Sequence, residues 1–385
     1  MKICFLGCLD DLYLKNTGAA IRIYYLAKSL ASLDNEIKII IPAGKGTFKW
    51  DERVILQSIT GIIPRKFLKF FSNLIGVSKS ESLFLYDLSF LFRSRYFIRD
   101  ADIIQLEGAV TSALIIIVVK KIFKKFAVVD SHDAFQALRI EYKSGLRKNL
   151  EIFLEKVTYR YADLILAVSE IDKKFLIKQG IQREKIVIIP NGVDTVSFTP
   201  KVEKINNSND KNKMFQVIFV GNMEYLPNQE AASLIINQIA PKVLNRIKNV
   251  NFILIGRTPL KLKNNLKNIT FTGVVDNVAG HLTASDVAIA PLLQGSGTRL
   301  KILEYFSCGL PVISTSVGAE GLDVTNNINI LIEDDVDGFV NSLVNILEDK
   351  ELRRKMGVAA RELVIKKYDW MIIGKQLNEI YSKFI

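Results

Sequence analysis

The feature that most constrains this chain is a recurrence. Short apolar runs, each closing on a glycine or a polar pair, alternate with longer stretches of helical period. Lys2 to Leu6 is the first such run. Ala19 to Leu33 is the first amphipathic stretch, with Ile23, Leu26, Ala27 and Leu30 on one face. Further runs fall at Glu36 to Ile41, Asp102 to Leu106, Phe126 to Val129, Leu164 to Ser169 and Ile186 to Ile189. Strands alternating with helices predict a parallel, doubly wound sheet, and ligands of such sheets bind at the carboxyl ends of the strands. The polar stretch KVEKINNSNDKNK, residues 201–213, interrupts the pattern and reads as a domain boundary. The pattern then restarts, with strands at Phe215 to Val220, Asn251 to Ile255, Ile269 to Thr272, Asp286 to Pro291, Val312 to Ser314 and Asn329 to Ile332. Three helices close the chain, the last around Trp370 to Phe384. At 385 residues the chain suits two domains of this α/β class.

One stretch of the second half carries chemistry. Residues 286–314 read as strand, glycine-rich loop, helix, turn and strand. Gly295 and Gly297 are free to take positive φ. Helix chemistry begins near Thr298, and Gly309 with Pro311 ends it. Such a loop presents unpaired backbone N–H groups and the positive end of a helix dipole. Arg299 and Lys301 add two cations at the same place, so the assembly reads as an anion cradle suited to a diphosphate. Gly295-Ser296-Gly297-Thr298-Arg299-Leu300 starts like a dinucleotide fingerprint but has Leu300 where the third glycine belongs, which disfavours a nicotinamide or flavin enzyme.

Charge and composition exclude other classes. A net charge of +12 favours acidic partners: phosphate-bearing substrates, an anionic membrane face or nucleic acid. No base-stacking motif accompanies that charge, so nucleic acid is not expected. Three cysteines give no disulfide framework and favour a reducing compartment, and two histidines make a zinc site unexpected. The longest apolar run, Ala113 to Val119, is far short of the roughly 20 residues a membrane span needs.

In the first half, the Asn16-Thr17-Gly18 loop lies at a strand's carboxyl end. Arg22, one turn into the helix, reaches a ligand there on one reading and is a plain surface arginine on the other. Asp100-Ala101-Asp102 reads as a solvated turn rather than a metal pair. Asp130-Ser131-His132-Asp133 places a histidine at a strand end, facing the ligand crevice. Residues 62–99 interleave Phe and Leu with Arg65, Lys66 and Lys69. That mixture fits interfacial membrane contact, or two ordinary helices packed on the sheet with a basic outer face.

Four stretches carry a resemblance: VSEIDKKFL at 168–176, IIPNGVDTVSFTP at 188–200, VIFVGNMEYLPNQEA at 217–231, and the run from FTGVVDNVAG at 271–280 through the cradle to AEGLDV at 319–324. In this order and spacing they resemble a retaining glycosyltransferase of the GT-B superfamily, of the group-1 or GT4 type. The first half matches loosely, at the Gly18 loop and at Ser131-His132-Asp133. The resemblance implies two Rossmann-like doubly wound domains facing a cleft. Residues 1–195 would form the acceptor-binding domain, 196–212 a linker, 213–367 the nucleotide-sugar domain, and 368–385 a helix returning to the first domain. It implies transfer of a sugar from a nucleotide-diphosphate sugar to an acceptor hydroxyl with retention of configuration, in surface polysaccharide or glycolipid assembly. His132, Arg299, Lys301 and Glu304 are the catalytic candidates. Gly18, Gly221, Asn222, Arg257, Gly295, Ser296, Gly297 and Thr298 join Arg299, Lys301 and Glu304 as donor-binding candidates. No metal or other cofactor is expected; the partners are the donor and a saccharide or lipid-linked acceptor. The expected location is the cytoplasm, with peripheral contact at the anionic inner face of the cell membrane as a further expectation. A nucleotide-sugar sensor without catalysis and a sugar-nucleotide epimerase on the same fold are the alternatives.

The chain departs from the family in two places. Many members pair an Arg and a Lys just after the first strand of the second domain, where this chain has Asn222 and Asn228. Many carry two glutamates eight positions apart in the cradle; Glu304 matches the second, and Ser296 stands for the first. The reading is that the cation pair has moved onto the cradle as Arg299 and Lys301; impaired catalysis is the other.

Overall fold

The computed structural model describes the chain apart from residues 8–16, 42–46, 60–82, 110–111, 133–145, 201–213, 260–261, 263–266 and 296. The chain divides into two compact units: Met1–Pro190 with Trp370–Ile385, and Asn191–Asp369. Most of the expected linker lies outside the described residues, as do Arg65, Lys66, Lys69 and Ser296.

The first unit holds an eight-stranded sheet. Its strands are β1 (Lys2–Leu6), β2 (Glu36–Ile41), β3 (Thr47–Asp51), β4 (Val54–Ser58), β5 (Ile103–Glu107), β6 (Phe126–Ser131), β7 (Leu164–Ala167) and β8 (Ile186–Ile188), in spatial order β3-β4-β2-β1-β5-β6-β7-β8. All pairings are parallel except that of β3 with β4. The β3–β4 hairpin escaped the sequence reading, because Trp50-Asp51-Glu52-Arg53 carries none of the usual glycine-bearing turn pairs.

Period-two alternation sends neighbouring residues of β1 to opposite faces. Ile3 and Phe5 pack with Ile23, Leu26 and Leu30 of helix α1 (Gly18–Ala31) and with Trp370, Ile373 and Leu377. Cys4 and Leu6 pack on the other face, under helices α2 (Leu83–Asp100) and α3 (Ala113–Lys121). The closing residues Trp370–Tyr381 are therefore core of the first unit. Their approach to α1 is close: a Cβ on Gly374 would stand 2.3 Å from the Ser29 Cβ.

The second unit holds β9 (Phe215–Val220), β10 (Val250–Ile255), β11 (Ile269–Gly273), β12 (Val287–Ala290), β13 (Val312–Ser314) and β14 (Leu331–Ile332). Their order is β11-β10-β9-β12-β13-β14, with every pairing parallel. Numbered within the unit this is 3-2-1-4-5-6, the doubly wound Rossmann order. The strand order reverses between β9 and β12, and in the first unit between β1 and β5. Each reversal leaves a crevice at the carboxyl ends of those two strands.

One sequence expectation is corrected. Arg22 neither reaches a ligand nor lies on the surface. It is fully buried, with Nε and Nη2 donating to Asp130 Oδ2 and Oδ1 at 2.8 and 3.0 Å and Nη1 donating to the Pro190 carbonyl at 2.9 Å. Arg22 shares the sheet-facing side of α1 with Leu26, one turn on, and here the facing strand end supplies a carboxylate. Asp100 and Asp102 lie at the surface, where Asp100 pairs with Lys2 and Lys38, and the exposed Asp102 accepts the Lys2 backbone N–H.

Removing one partner of a buried ion pair leaves the other charge uncompensated, at a cost of about 3–5 kcal/mol. Asp130→Asn should therefore lower the stability of the first unit by that order in denaturant titration. The double variant Asp130→Asn with Arg22→Met should recover a large part of the loss.

Candidate functional site

The candidate residues fall into two groups, one at the crevice of each unit. In the second unit, β9 ends at Val220 and the chain turns at Gly221 into helix α6 (Leu226–Leu234), after α4 (Leu146–Tyr161) and α5 (Glu170–Lys178) of the first unit. Across the crevice, β12 gives way to the loop 291–299 and then to a helix at Leu300–Ser307, the cradle helix. Gly295 and Gly297 take φ of +134° and +73°, values that side chains on Cβ resist. Arg299 folds back over this bend. Its Nη1 donates to the Gly297 carbonyl at 2.5 Å, and a Cβ on Gly295 would meet its Nη2 at 2.9 Å. The Thr298 hydroxyl is buried with no hydrogen-bond partner among the described residues.

The cradle helix is fixed to the end of β9 by Tyr305, fully buried, whose hydroxyl accepts the Val220 N–H at 2.8 Å. Lys301 stands one turn earlier on the same face. Its ammonium reaches the end of β9, 4.5 Å from the centre of the Phe219 ring, and donates to Asn228 Oδ1 at 2.7 Å. A Cβ on Gly221 would stand 2.8 Å from Lys301 Nζ. A cation carried by the cradle helix thus lies against the β9–α6 turn, where the sequence itself holds Asn222 and Asn228.

Lys301 is half-buried, and the loss of water pulls its ammonium down to about 7; the Arg299 charge adds to this and Glu304 opposes it. Burial pushes the Glu304 carboxyl up to about 7 against the pull of Lys301. The i, i+3 spacing allows an ion pair between the two, but Lys301 bonds Asn228 instead, and the Glu304 carboxyl makes no hydrogen bond or ion pair among the described residues. Gln294 Nε2 donates to Glu230 Oε2 at 2.7 Å, a second tie from the loop to α6. Arg257 is exposed, with Glu224 at 3.7 Å. Asn222 caps its own turn, its Oδ1 accepting the Glu224 N–H at 3.1 Å.

In the first unit, Gly18 opens α1 behind an N-cap, Thr17 Oγ1 accepting the Ala20 N–H at 3.2 Å. His132 follows β6 directly, and its Nε2 lies 2.8 Å from Glu107 Oε2 at the end of β5. Glu107 Oε1 accepts Gln105 Nε2 at 2.8 Å, and Gln105 Oε1 accepts the Tyr381 hydroxyl at 2.6 Å. Burial alone would pull the imidazole down, but the carboxylates of Asp130 and Glu107 outweigh it and raise His132 above the ordinary histidine value. Burial pushes Glu107 up as well. The pair therefore retains a shared proton to higher pH than an isolated histidine. His132 Nδ1 has no partner among the described residues.

Ligand atoms of Glu107, Asp130 and His132 lie within 4.8 Å of one another, a spacing a metal could use. Both oxygens of Asp130 are held by Arg22, and those of Glu107 by Gln105 and His132. The Arg22 guanidinium already supplies a positive charge at Asp130.

A family model described as "Glycosyl transferases group 1" matches residues 214–349, and one described as "Glycosyltransferase Family 4" matches residues 16–197. The chain belongs to the group-1, or GT4, glycosyltransferases. It is 31% identical over 275 residues to the Escherichia coli UDP-Gal:alpha-D-GlcNAc-diphosphoundecaprenol alpha-1,3-galactosyltransferase, covering 66% of each protein. It is 27% identical over 210 residues to a GDP-mannose-dependent monoacylated alpha-(1-6)-phosphatidylinositol monomannoside mannosyltransferase of Corynebacterium glutamicum, covering 50% of this chain and 55% of that protein. The fold matches sucrose-phosphate synthase from Thermosynechococcus elongatus at a TM-score of 0.77, with 17% identity, over 100% of this chain and 99% of the other. It matches Anabaena HepE, solved with UDP and glucose, at 0.72 and 16%, over 99% of both chains. Both neighbours establish the GT-B fold for this GT4 chain.

Sequence reasoning missed Glu107, Asn228 and Tyr305. Only Asn228 carried a signal, as an amide where the resemblance leads one to expect a cation. The closest backbone approach in the crevice is Gly256, at φ +129°, where a Cβ would stand 2.1 Å from the Gly221 carbonyl oxygen. Gly256→Ala should force β10 and the β9–α6 turn apart. We expect a drop of about 2 kcal/mol or more in unfolding free energy, as for other strained backbone positions, read by denaturant titration.

Proposed function

We propose that the chain moves a sugar from a nucleotide-diphosphate sugar to an acceptor hydroxyl with retention of configuration and without a metal. The observation that carries this is Lys301 at the end of β9, beside Arg299 on its glycine bend, at the strand-order reversal of the second unit. As the anomeric carbon exchanges its diphosphate oxygen for the acceptor oxygen, negative charge grows on the departing diphosphate. Fixed cations and backbone donors aimed at that charge lower the barrier without reorganising. Glu304, its carboxyl pushed up to about 7 by burial, is suited to hydrogen-bonding a ribose hydroxyl. His132, held by Glu107 through Nε2, leaves Nδ1 for a sugar or acceptor hydroxyl in the first unit.

The names of two relatives support a nucleotide-sugar donor and a lipid-linked acceptor. One acts with UDP-Gal on a diphosphoundecaprenol glycan, the other with GDP-mannose on an acylated phosphatidylinositol mannoside. Among the described residues no helix is long and apolar enough to cross a membrane. Peripheral contact on the cytoplasmic side fits the outer face of α2, where Phe92 and Tyr96 are 59% and 70% exposed. Arg95 lies over the Phe92 ring at 4.1 Å, and Arg99 lies 5.8 Å from the Phe123 ring. Aromatic and guanidinium groups side by side suit an anionic headgroup layer.

Purified protein with a panel of nucleotide sugars and a lipid-diphosphate saccharide acceptor tests the main reading. Turnover should survive EDTA, and Arg299→Ala and Lys301→Ala should each lower kcat by roughly 10²–10³-fold with the fold intact. Full loss in EDTA, or unchanged turnover in both variants, contradicts it. Separately, Phe92→Ser with Tyr96→Ser should reduce co-sedimentation with phosphatidylglycerol vesicles, whereas equal recovery removes α2 from any membrane role.

A further inference from the structure

The cradle's cation is held by a side chain that no charge argument singles out. Asn228 Nδ2 donates to the Asn222 carbonyl at 3.0 Å, which fixes the amide so that Oδ1 faces Lys301 Nζ at 2.7 Å. An amide can do both, whereas a carboxylate is acceptor-only and would set a negative oxygen against the Asn222 carbonyl. The turn is built around this contact. A Cβ on Gly221 would meet Lys301 Nζ at 2.8 Å and Asn228 Cγ at 2.9 Å. The charged groups that face Lys301 are Arg299 from the loop and Glu304 from its own helix. On the opposite side, β9 and α6 offer the Phe219 ring, Gly221 and Asn228.

We infer that Asn228 is a positioning residue for Lys301, fixing the ammonium at the end of β9 with a neutral acceptor and so leaving its charge for a donor diphosphate. This rests on the reading of the cradle as the donor site. An aspartate at 228 would hold Lys301 equally close but cancel the charge. An alanine would leave the ammonium without an acceptor in a half-dry site. The amide also explains how a chain with asparagines after β9 keeps a cation there: position 228 receives the lysine instead of supplying it.

The test is the titration of Lys301 by ¹³C NMR of its ε-carbon, assigned with Lys301→Met, in wild type, Asn228→Ala and Asn228→Asp. It is run beside the pH profile of kcat/KM for the nucleotide sugar that wild type uses. Wild-type kcat/KM should fall as pH rises through about 7, as Lys301 loses its proton. Asn228→Ala should move the NMR midpoint and the fall to lower pH. It should also raise donor KM at pH 6 by roughly tenfold or more, the size of one hydrogen bond to a charged group. Asn228→Asp should move both midpoints up by about one unit or more, as a carboxylate partner does for a cation, and still raise donor KM, because the carboxylate repels the diphosphate. A merely structural asparagine would change thermal stability and leave the midpoints together. Coincident NMR midpoints in all three proteins overturn the inference. If they separate as stated but no nucleotide sugar binds wild type, the donor reading fails and the positioning role stands.

Discussion

Parallel pairing places every strand's carboxyl end on one edge of its sheet. The reversal of strand order then leaves one gap on that edge that no crossover helix covers. Everything that bears chemistry here follows from that constraint. In the second unit the gap lies between β9 and β12, and it collects the β9–α6 turn from one side and the glycine bend with the cradle helix from the other. The first unit's gap lies between β1 and β5, and the ends of β5 and the next strand, β6, bring Glu107, Asp130 and His132 together. The backbone itself is close-set at these places. Gly256 presses on Gly221, and Gly221 in turn admits Lys301 and Asn228.

The two groups treat charge differently. At the first unit's strand ends, charges are matched within the protein. Arg22 closes on both oxygens of Asp130, and Glu107 closes on His132, with Tyr381 of the final helix steadying Gln105 behind it. At the second unit's crevice, Lys301 is met by an amide and an aromatic face, neither of which carries charge. Water is partly excluded, so its ammonium is held near the edge of losing its proton. A group in that condition gains much from an arriving anion, because the anion supplies what burial removed. The first arrangement is suited to rigidity, the second to recognising a ligand.

Much of this was legible in the sequence, and what was not has physical reasons. The strand–helix alternation, the restart after residues 201–213 and the positive-φ glycines of the cradle followed from period and turn chemistry, which are local properties. The direction of Arg22 did not follow, because whether a helical residue faces in or out depends on which strand lies beneath it. Lys301 was recognised as a cation of the cradle, but its reach across to Asn228 was not. Those residues are 73 positions apart, and only the β9–β12 adjacency brings them together. Glu107 ends a strand of the most ordinary composition. Its meaning comes from His132 on the next strand over.

Residues 228 and 301 set a neutral amide and a cation face to face across the crevice. A lysine borne on the turn after β9 would approach the crevice from α6. A lysine borne on the cradle helix approaches from the opposite wall and reaches the same volume over the Phe219 ring. The two routes differ in what the vacated position must become. A residue left on the turn must accept the ammonium's N–H without neutralising it, and it must fit beside a glycine. It must also donate to a carbonyl that the turn leaves exposed. Asparagine meets all three conditions, and aspartate fails the first and the third. In this chain the cation on the cradle and the amide at position 228 are therefore coupled chemically, through one hydrogen bond and the turn that orients it.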